Sequence, residues 1–244
     1  MKIALIGYGK WGKIIFSNLK KISKNVFLIK KRSKINFSKK LDWIFISTQD
    51  RYHYQIAKLY LEKKVNVFCE KPVTRNLFYS KKLFSLAKKN GVQLIENQYY
   101  KFFENKIKLY NSNINHIYRQ KKRNNSSIKD LLYALTYHDI LLIYNQIQKK
   151  KKYKINLIKF KNNELIFSIN FKSNFSVQFN YDLKKNIKKH TINNFIIKSK
   201  KNILLRYIKD VFSGKISNLE NKKRSLFIIK TLNEIEKQLL KEVK

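Results

Sequence analysis

Hydrophobic and polar positions follow two different rhythms along this 244-residue chain. In the first hundred residues, short apolar runs occur at 2–6, 25–29, 43–47, 65–69 and 92–95. Runs apolar at nearly every position suit strands covered on both faces. Between them lie stretches with helical spacing. Residues 13–21 place Ile14, Ile15, Phe16 and Leu19 together, and 54–63 place Ile56, Leu59 and Tyr60 together. Residues 77–89 end at Asn90-Gly91, a helix stop. The alternation predicts a parallel, doubly wound sheet over residues 1–100. Only nine residues separate Arg32 from Asp42, which predicts a loop or single turn there instead of a further helix and strand.

Beyond residue 100 the rhythm changes to period two. Leu165, Phe167, Ile169 and Phe171 alternate with Ile166, Ser168, Asn170 and Lys172. Phe175, Val177, Phe179 and Tyr181 alternate with Ser176, Gln178 and Asn180. With strands also expected at 115–120, 153–160 and 195–198, this predicts a mainly antiparallel sheet with one covered face. A helix is expected at 128–147 and closing helices after 212. The second domain, α+β in class, is thus expected to span 101–244.

The chain has five glycines and one proline, so their placement is informative. Three glycines fall in Gly7-Tyr8-Gly9-Lys10-Trp11-Gly12, after an expected strand and before an expected helix and a second strand. G-x-G-x-x-G in that context is a dinucleotide-binding fingerprint. Gly7 permits the tight turn, Gly9 lets a pyrophosphate approach the backbone, and Gly12 lets helix and strand pack closely. The helix N-terminus offers unpaired N–H groups to the phosphates. The second strand runs into Lys30-Lys31-Arg32-Ser33 without a carboxylate. Arg32 and Ser33 therefore suit the 2′-phosphate of NADP better than the free ribose hydroxyl of NAD, although NAD remains possible.

Charge changes the picture less than its size suggests. The net charge is +40, from 55 basic and 15 acidic residues. Only seven basic residues are arginine, whereas phosphate readers favour the guanidinium fork. Lysine excess beside scarce Gly, Pro and Ala reads as compositional drift, so no specific nucleic-acid partner is expected. A single cysteine, Cys69, excludes a disulfide framework and a cysteine-based zinc site, and no metal is expected. The apolar stretch 131–144 is interrupted by His138 and Asp139 and is short for a membrane span. A cytoplasmic protein without membrane attachment is expected.

Three motifs carry a family resemblance: the glycine turn, Ser47-Thr48-Gln49-Asp50-Arg51-Tyr52-His53, and Val67-Phe68-Cys69-Glu70-Lys71-Pro72. They resemble the Gfo/Idh/MocA family of nicotinamide-dependent sugar oxidoreductases. Tyr100-Lys101-Phe102 and Tyr137-His138-Asp139-Ile140 add to the likeness. The resemblance is specific over 1–102 and loose after 145. It implies a Rossmann domain followed by a sheet domain that covers the substrate site and mediates homo-oligomers. It also implies an oxidoreductase acting on a sugar or nucleotide sugar, with a place in surface polysaccharide synthesis.

The same resemblance supplies candidate chemistry. Hydride transfer from a hydroxyl needs a proton acceptor and a cation to stabilise the developing alkoxide. Lys71, at a strand end, is the first catalytic candidate and also a cofactor contact. His138 is the second. Thr48, His53 and Glu70 are expected to line the cofactor pocket with the glycine turn, with capping of a helix the other reading of His53. The family places an Asp four residues before the histidine, and here that position is Ala134. Asp139 points elsewhere on a helix and cannot substitute simply. A catalytically impaired cofactor-binding or scaffold protein is therefore the alternative. His116 and His190 carry no pattern and no role is assigned to them.

Overall fold

The computed structural model describes residues 1–29, 41–111, 114–120, 127–150, 152–161, 163–172, 174–184, 188–198 and 202–242. The loop expected between Arg32 and Asp42, with Arg32 and Ser33, lies outside the described residues.

The N-terminal elements run β1 (Ile3–Ile6), α1 (Lys10–Lys20), β2 (Val26–Ile29), β3 (Trp43–Ile46), α2 (His53–Glu62), β4 (Asn66–Cys69), α3 (Leu77–Lys89) and β5 (Leu94–Glu96). The five strands form one sheet in the order β2-β1-β3-β4-β5, with every pairing parallel. Strand Trp43–Ile46 is buried at every position, as a central strand covered on both faces must be. Helix α1 begins three residues earlier than its apolar periodicity predicts, because the second half of the glycine turn is already helical.

The later elements are β6 (Ile114–Gln120), α4 (Ile128–Leu131), a π-helical turn (Leu132–Thr136), α5 (Tyr137–Ile147), β7 (Tyr153–Lys161), β8 (Glu164–Phe171), β9 (Phe175–Asp182), β10 (Lys189–Ile192) and β11 (Phe195–Ile196). Six strands pair in the order β11-β10-β6-β9-β8-β7. All neighbours are antiparallel except β6 and β9. The alternation read from the sequence sets the covered face: Leu165, Phe167, Ile169, Phe175, Val177, Phe179 and Tyr181 are buried. Phe167 and Phe179 are register partners whose rings stack at 4.6 Å. Strand β10 was not expected, since Lys189–Ile192 holds one apolar residue. The strand expected at 195–198 shortens to two residues.

The tail forms α6 (Ile203–Phe212) and α7 (Asn218–Glu242). The chain divides into two compact units, Met1–Tyr99 with Lys201–Ile229, and Tyr100–Lys200 with Lys230–Lys244. This corrects the expected second domain of 101–244, since α6 and the first half of α7 pack with the parallel sheet. Phe212 stands edge-on to Trp43 and Phe45 at 5.4 and 6.0 Å, and Tyr207 meets Phe68 at 6.2 Å. The strand aromatics need a cover, and the tail supplies it. In the second unit, Ile235 and Leu239 of α7 are buried, and Glu236 accepts a hydrogen bond from Tyr133 at 2.9 Å.

Candidate functional site

The parallel sheet reverses direction of growth between β1 and β3, and the crevice at such a point is where doubly wound sheets bind ligands. Gly7 closes β1 with φ +93°, a left-handed conformation that favours glycine. A Cβ on Gly7 would lie 2.4 Å from the Ser47 carbonyl oxygen. Gly9 is the N-cap of α1, and a Cβ there would meet nothing within 4 Å. The turn is therefore closed on the strand side and open before Gly9. No side chain caps α1, and its first turn holds no acidic residue. The first intrahelical bond is Lys13 N–H to the Gly9 carbonyl, 2.9 Å. Donors, dipole and open space fit a phosphate group at this end of the helix.

Around the glycine turn, Tyr8 is exposed with its edge on Phe16 at 5.6 Å, and Lys10 is exposed. Trp11 faces inward. Its indole N–H donates to Glu70 Oε1, and its ring stacks on Tyr99 at 6.0 Å. Asn97 Nδ2 donates to the same oxygen at 2.6 Å. Burial raises the Glu70 pKa, against the pull of these donors and of Lys71. Trp11, Glu70 and Asn97 thus bind together the first turn of α1 and the ends of β4 and β5. Sequence reading missed Asn97 and Tyr99, for no pattern in Glu96-Asn97-Gln98-Tyr99 announces them.

The segment 71–76 after β4 is tied down on two sides. Val73 N–H donates to the buried Glu96 carboxylate at 2.5 Å. Arg75 Nε donates to Asp50 Oδ2 at 2.6 Å. His53 is 1% exposed, with Nδ1 2.8 Å from the Pro72 carbonyl and Nε2 3.1 Å from the Thr48 carbonyl. Burial lowers the His53 pKa, against those two contacts. Both ring nitrogens face backbone carbonyls, so the ring bridges the loop after β3 and the strap after β4. Thr48 is half-buried, and its hydroxyl donates to the Gln49 carbonyl at 3.3 Å. Lys71 is half-buried within this strap, between Glu70 and Pro72.

In the second unit, His138 is half-buried on α5, its ring 4.4 Å from that of Tyr100. The helix expected to run evenly over 128–147 does not: Tyr137 N–H bonds the Leu132 carbonyl, the i to i+5 step of a π turn. Ala134 lies inside that turn, so the α-helical step assumed from Ala134 to His138 is replaced by a wider one. Periodicity of apolar residues does not register one added residue among so many buried side chains.

Asp139 turns into the sheet. Arg119 grips it with Nε and Nη2 on Oδ1 at 2.9 and 2.6 Å, and Tyr181 donates to Oδ2 at 2.7 Å. His190 Nε2 lies 2.8 Å from Oδ1, and Thr136 Oγ1 meets the Tyr181 hydroxyl at 2.8 Å. Burial would raise the Asp139 pKa, but Arg119 and His190 outweigh it and bring it down to about 2. Burial and Arg119 lower the His190 pKa. The network explains why Asp139 does not stand in for the carboxylate missing at 134. It also gives His190 a structural place that the sequence did not indicate.

Residues 20–98 match the family model described as "Oxidoreductase family, NAD-binding Rossmann fold". That match takes in the strap and the β3 loop and begins after the glycine turn. A trans-1,2-dihydrobenzene-1,2-diol dehydrogenase of Danio rerio is 32% identical over 63 residues, which are 26% of this chain and 19% of that protein's length. The fold as a whole is similar to UDP-N-acetylglucosamine 3-dehydrogenase GnnA from Acidithiobacillus ferrooxidans. There the TM-score is 0.76 at 13% identity, over 97% of this chain and 96% of that one. It is also similar to the WlbA (WbpB) dehydrogenase from Thermus thermophilus, solved with NAD and UDP-GlcNAcA. In that case the TM-score is 0.70 at 11% identity, over 94% of each chain.

Proposed function

We propose that this protein is a Gfo/Idh/MocA-type oxidoreductase, an NAD(P)-dependent dehydrogenase or reductase of a sugar or nucleotide sugar, on the premise of the match of residues 20–98 to that family's model. The observation that carries the reading is the glycine turn, closed against β3 at Gly7 yet open before Gly9, with an uncapped helix behind it. Gly7, Tyr8, Gly9, Lys10, Trp11 and Gly12 would hold the pyrophosphate side of the cofactor, with Thr48 and Glu70 beside them. Arg32 and Ser33 are the proposed 2′-phosphate contacts, which favours NADP over NAD. A bound nicotinamide supplies hydride exchange.

The chain's own part is proton handling. Lys71 would hold a proton at Nζ beside the substrate oxygen and steady negative charge developing there. Glu70, pinned by Trp11 and Asn97, keeps a carboxylate next to that amine. His138 is proposed as a second proton carrier in the other unit. The sugar-type substrate, the role in surface polysaccharide synthesis and homo-oligomerisation through the second sheet are proposals of the same reading. The two similar dehydrogenases, one a UDP-N-acetylglucosamine 3-dehydrogenase and one solved with UDP-GlcNAcA, support the substrate class. Ala134 favours one alternative, a chain that binds cofactor with weakened catalysis.

Reduction of NADP in the presence of a panel of sugars and UDP-sugars tests the reading, with Lys71→Ala in parallel. The expected result is turnover with one substrate class, lost by about 10²–10⁴ in the variant. Equal turnover in the variant would remove Lys71 from the chemistry.

A further inference from the structure

We propose that His53 is a positioning residue for Lys71, an inference that rests on the proposed role of that lysine. His53 opens α2, and its ring reaches two loops at the C-terminal edge of the parallel sheet. One loop carries Thr48 after β3. The other carries Pro72, directly after Lys71. Both contacts are to backbone carbonyl oxygens, at 3.1 and 2.8 Å, and a carbonyl only accepts. The shorter contact assigns the ring proton to Nδ1, donated to Pro72. The Pro72 carbonyl belongs to the Pro72–Val73 peptide, one plane beyond the Lys71–Pro72 peptide, so this bond holds the backbone two peptide planes after the one that carries the Lys71 N–H and restrains the strap on which the lysine sits.

Other anchors of the strap attach further on. Glu96 holds the Val73 N–H, and Asp50 holds Arg75. The His53 bond to Pro72 lies closer in sequence to Lys71 than either of those two. Asp50 and Glu96 are the carboxylates that face the ring. They orient the same strap and do not replace the ring's bond to Pro72. A shift of about 1 Å in a reacting group lowers rates by about 10²-fold, so a side chain that never meets a ligand can still set the reactivity of this lysine.

The test uses the cofactor-free full chain and needs no substrate. An acylating reagent for amines is applied to the wild type and to His53→Ala, His53→Gln and His53→Asn. Modification at Lys71 is then timed by peptide mass spectrometry. The asparagine amide nitrogen takes the place of Nδ1 and keeps the donor to Pro72. The glutamine amide reaches the Nε2 position, facing Thr48, and does not replace the donor to Pro72. The expected result is a several-fold change in the Lys71 labelling rate, and in its pH profile, for His53→Ala and His53→Gln. His53→Asn should label as the wild type, and the remaining lysines should label alike in all four proteins.

Unchanged Lys71 labelling in a folded His53→Ala protein would overturn the proposal. So would a change equal in all three variants and spread over many lysines, since that reports general loosening. If His53→Ala does not fold, the pair His53→Asn and His53→Gln decides: equal labelling in the two overturns the proposal. Titration of the same proteins with NADPH keeps the two readings apart. Absence of binding to the wild type refutes the cofactor site, whereas the labelling pattern alone judges His53.

Discussion

A Cβ on Gly12 would lie 2.0 Å from the carbonyl oxygen of Gly7. The first turn of α1 and the end of β1 therefore touch backbone to backbone, and no other residue type fits at position 12. At Gly9, three residues earlier in the same turn, the space is empty. The two glycines serve different ends, and substitution separates them. Gly12→Ala should destabilise the fold by about 1–3 kcal/mol or more, as overpacking of a tight contact does. Gly9→Ala should stay within about 1 kcal/mol of wild type, the scale of an N-cap change, while weakening cofactor binding. Thermal melts beside cofactor titrations check both.

Asp139 predicts an acid response. Its folded pKa of about 2 lies below the value near 4 of an unfolded aspartate. Stability from this group is complete above the unfolded value and is lost as pH falls through the folded one. Asp139→Asn should cost about 3–5 kcal/mol at neutral pH, because Arg119 then stays buried without its counter-charge. The gap in melting temperature between wild type and variant should narrow from about pH 4 to pH 2. A gap constant with pH would show that the ion pair is not the source.

Ala134 and His138 give a prediction about catalysis. Ala134→Asp should raise turnover if the π turn lets the new carboxylate reach the imidazole, and His138→Ala should cancel that gain. Coupled sites are non-additive, whereas independent ones add. A double variant that shows the simple sum would separate the two positions. Steady-state rates of the four proteins decide it.

Glu70 is held by neutral donors and raised in pKa by burial. Below its unfolded pKa this raised value favours folding, and the advantage is lost as pH rises through the folded pKa. Glu70→Gln keeps an oxygen for Trp11 and Asn97, so its melting temperature at neutral pH should equal or exceed that of the wild type. A large drop would mean that the carboxylate charge itself holds the strand ends together.

The sequence made the first unit legible because each of its strands is a short apolar run and its glycines are few. Gly7, Gly12 and the Glu70-Lys71-Pro72 strap stand where those signals place them. The carboxylate grip on Val73, the Asn97 bond to Glu70 and the ring of His53 are contacts between side chains and distant backbone, and such contacts leave no periodic trace. In the second unit, the facing of Phe167 and Phe179 follows from alternation alone. Strand β10 does not, because Lys189–Ile192 earns its pairing from β6 and not from its own hydrophobicity. The π turn at Leu132–Thr136 escapes for a similar reason, in that its neighbours are buried on almost every side. The tail covers the first sheet through Tyr207 and Phe212, residues whose spacing suits a helix anywhere in the chain.

Calorimetric titration of the wild-type chain with NADPH and with NADH tests the central claim most directly. The account predicts saturable binding of both at one site per chain, tighter for NADPH, and weakened by Gly9→Ala in a protein that still melts as the wild type. Tighter binding of NADH would contradict the assignment of Arg32 and Ser33 to a 2′-phosphate. Binding of neither nucleotide by the folded chain would contradict the cofactor site itself, and with it the reading of this protein as a nicotinamide-dependent oxidoreductase.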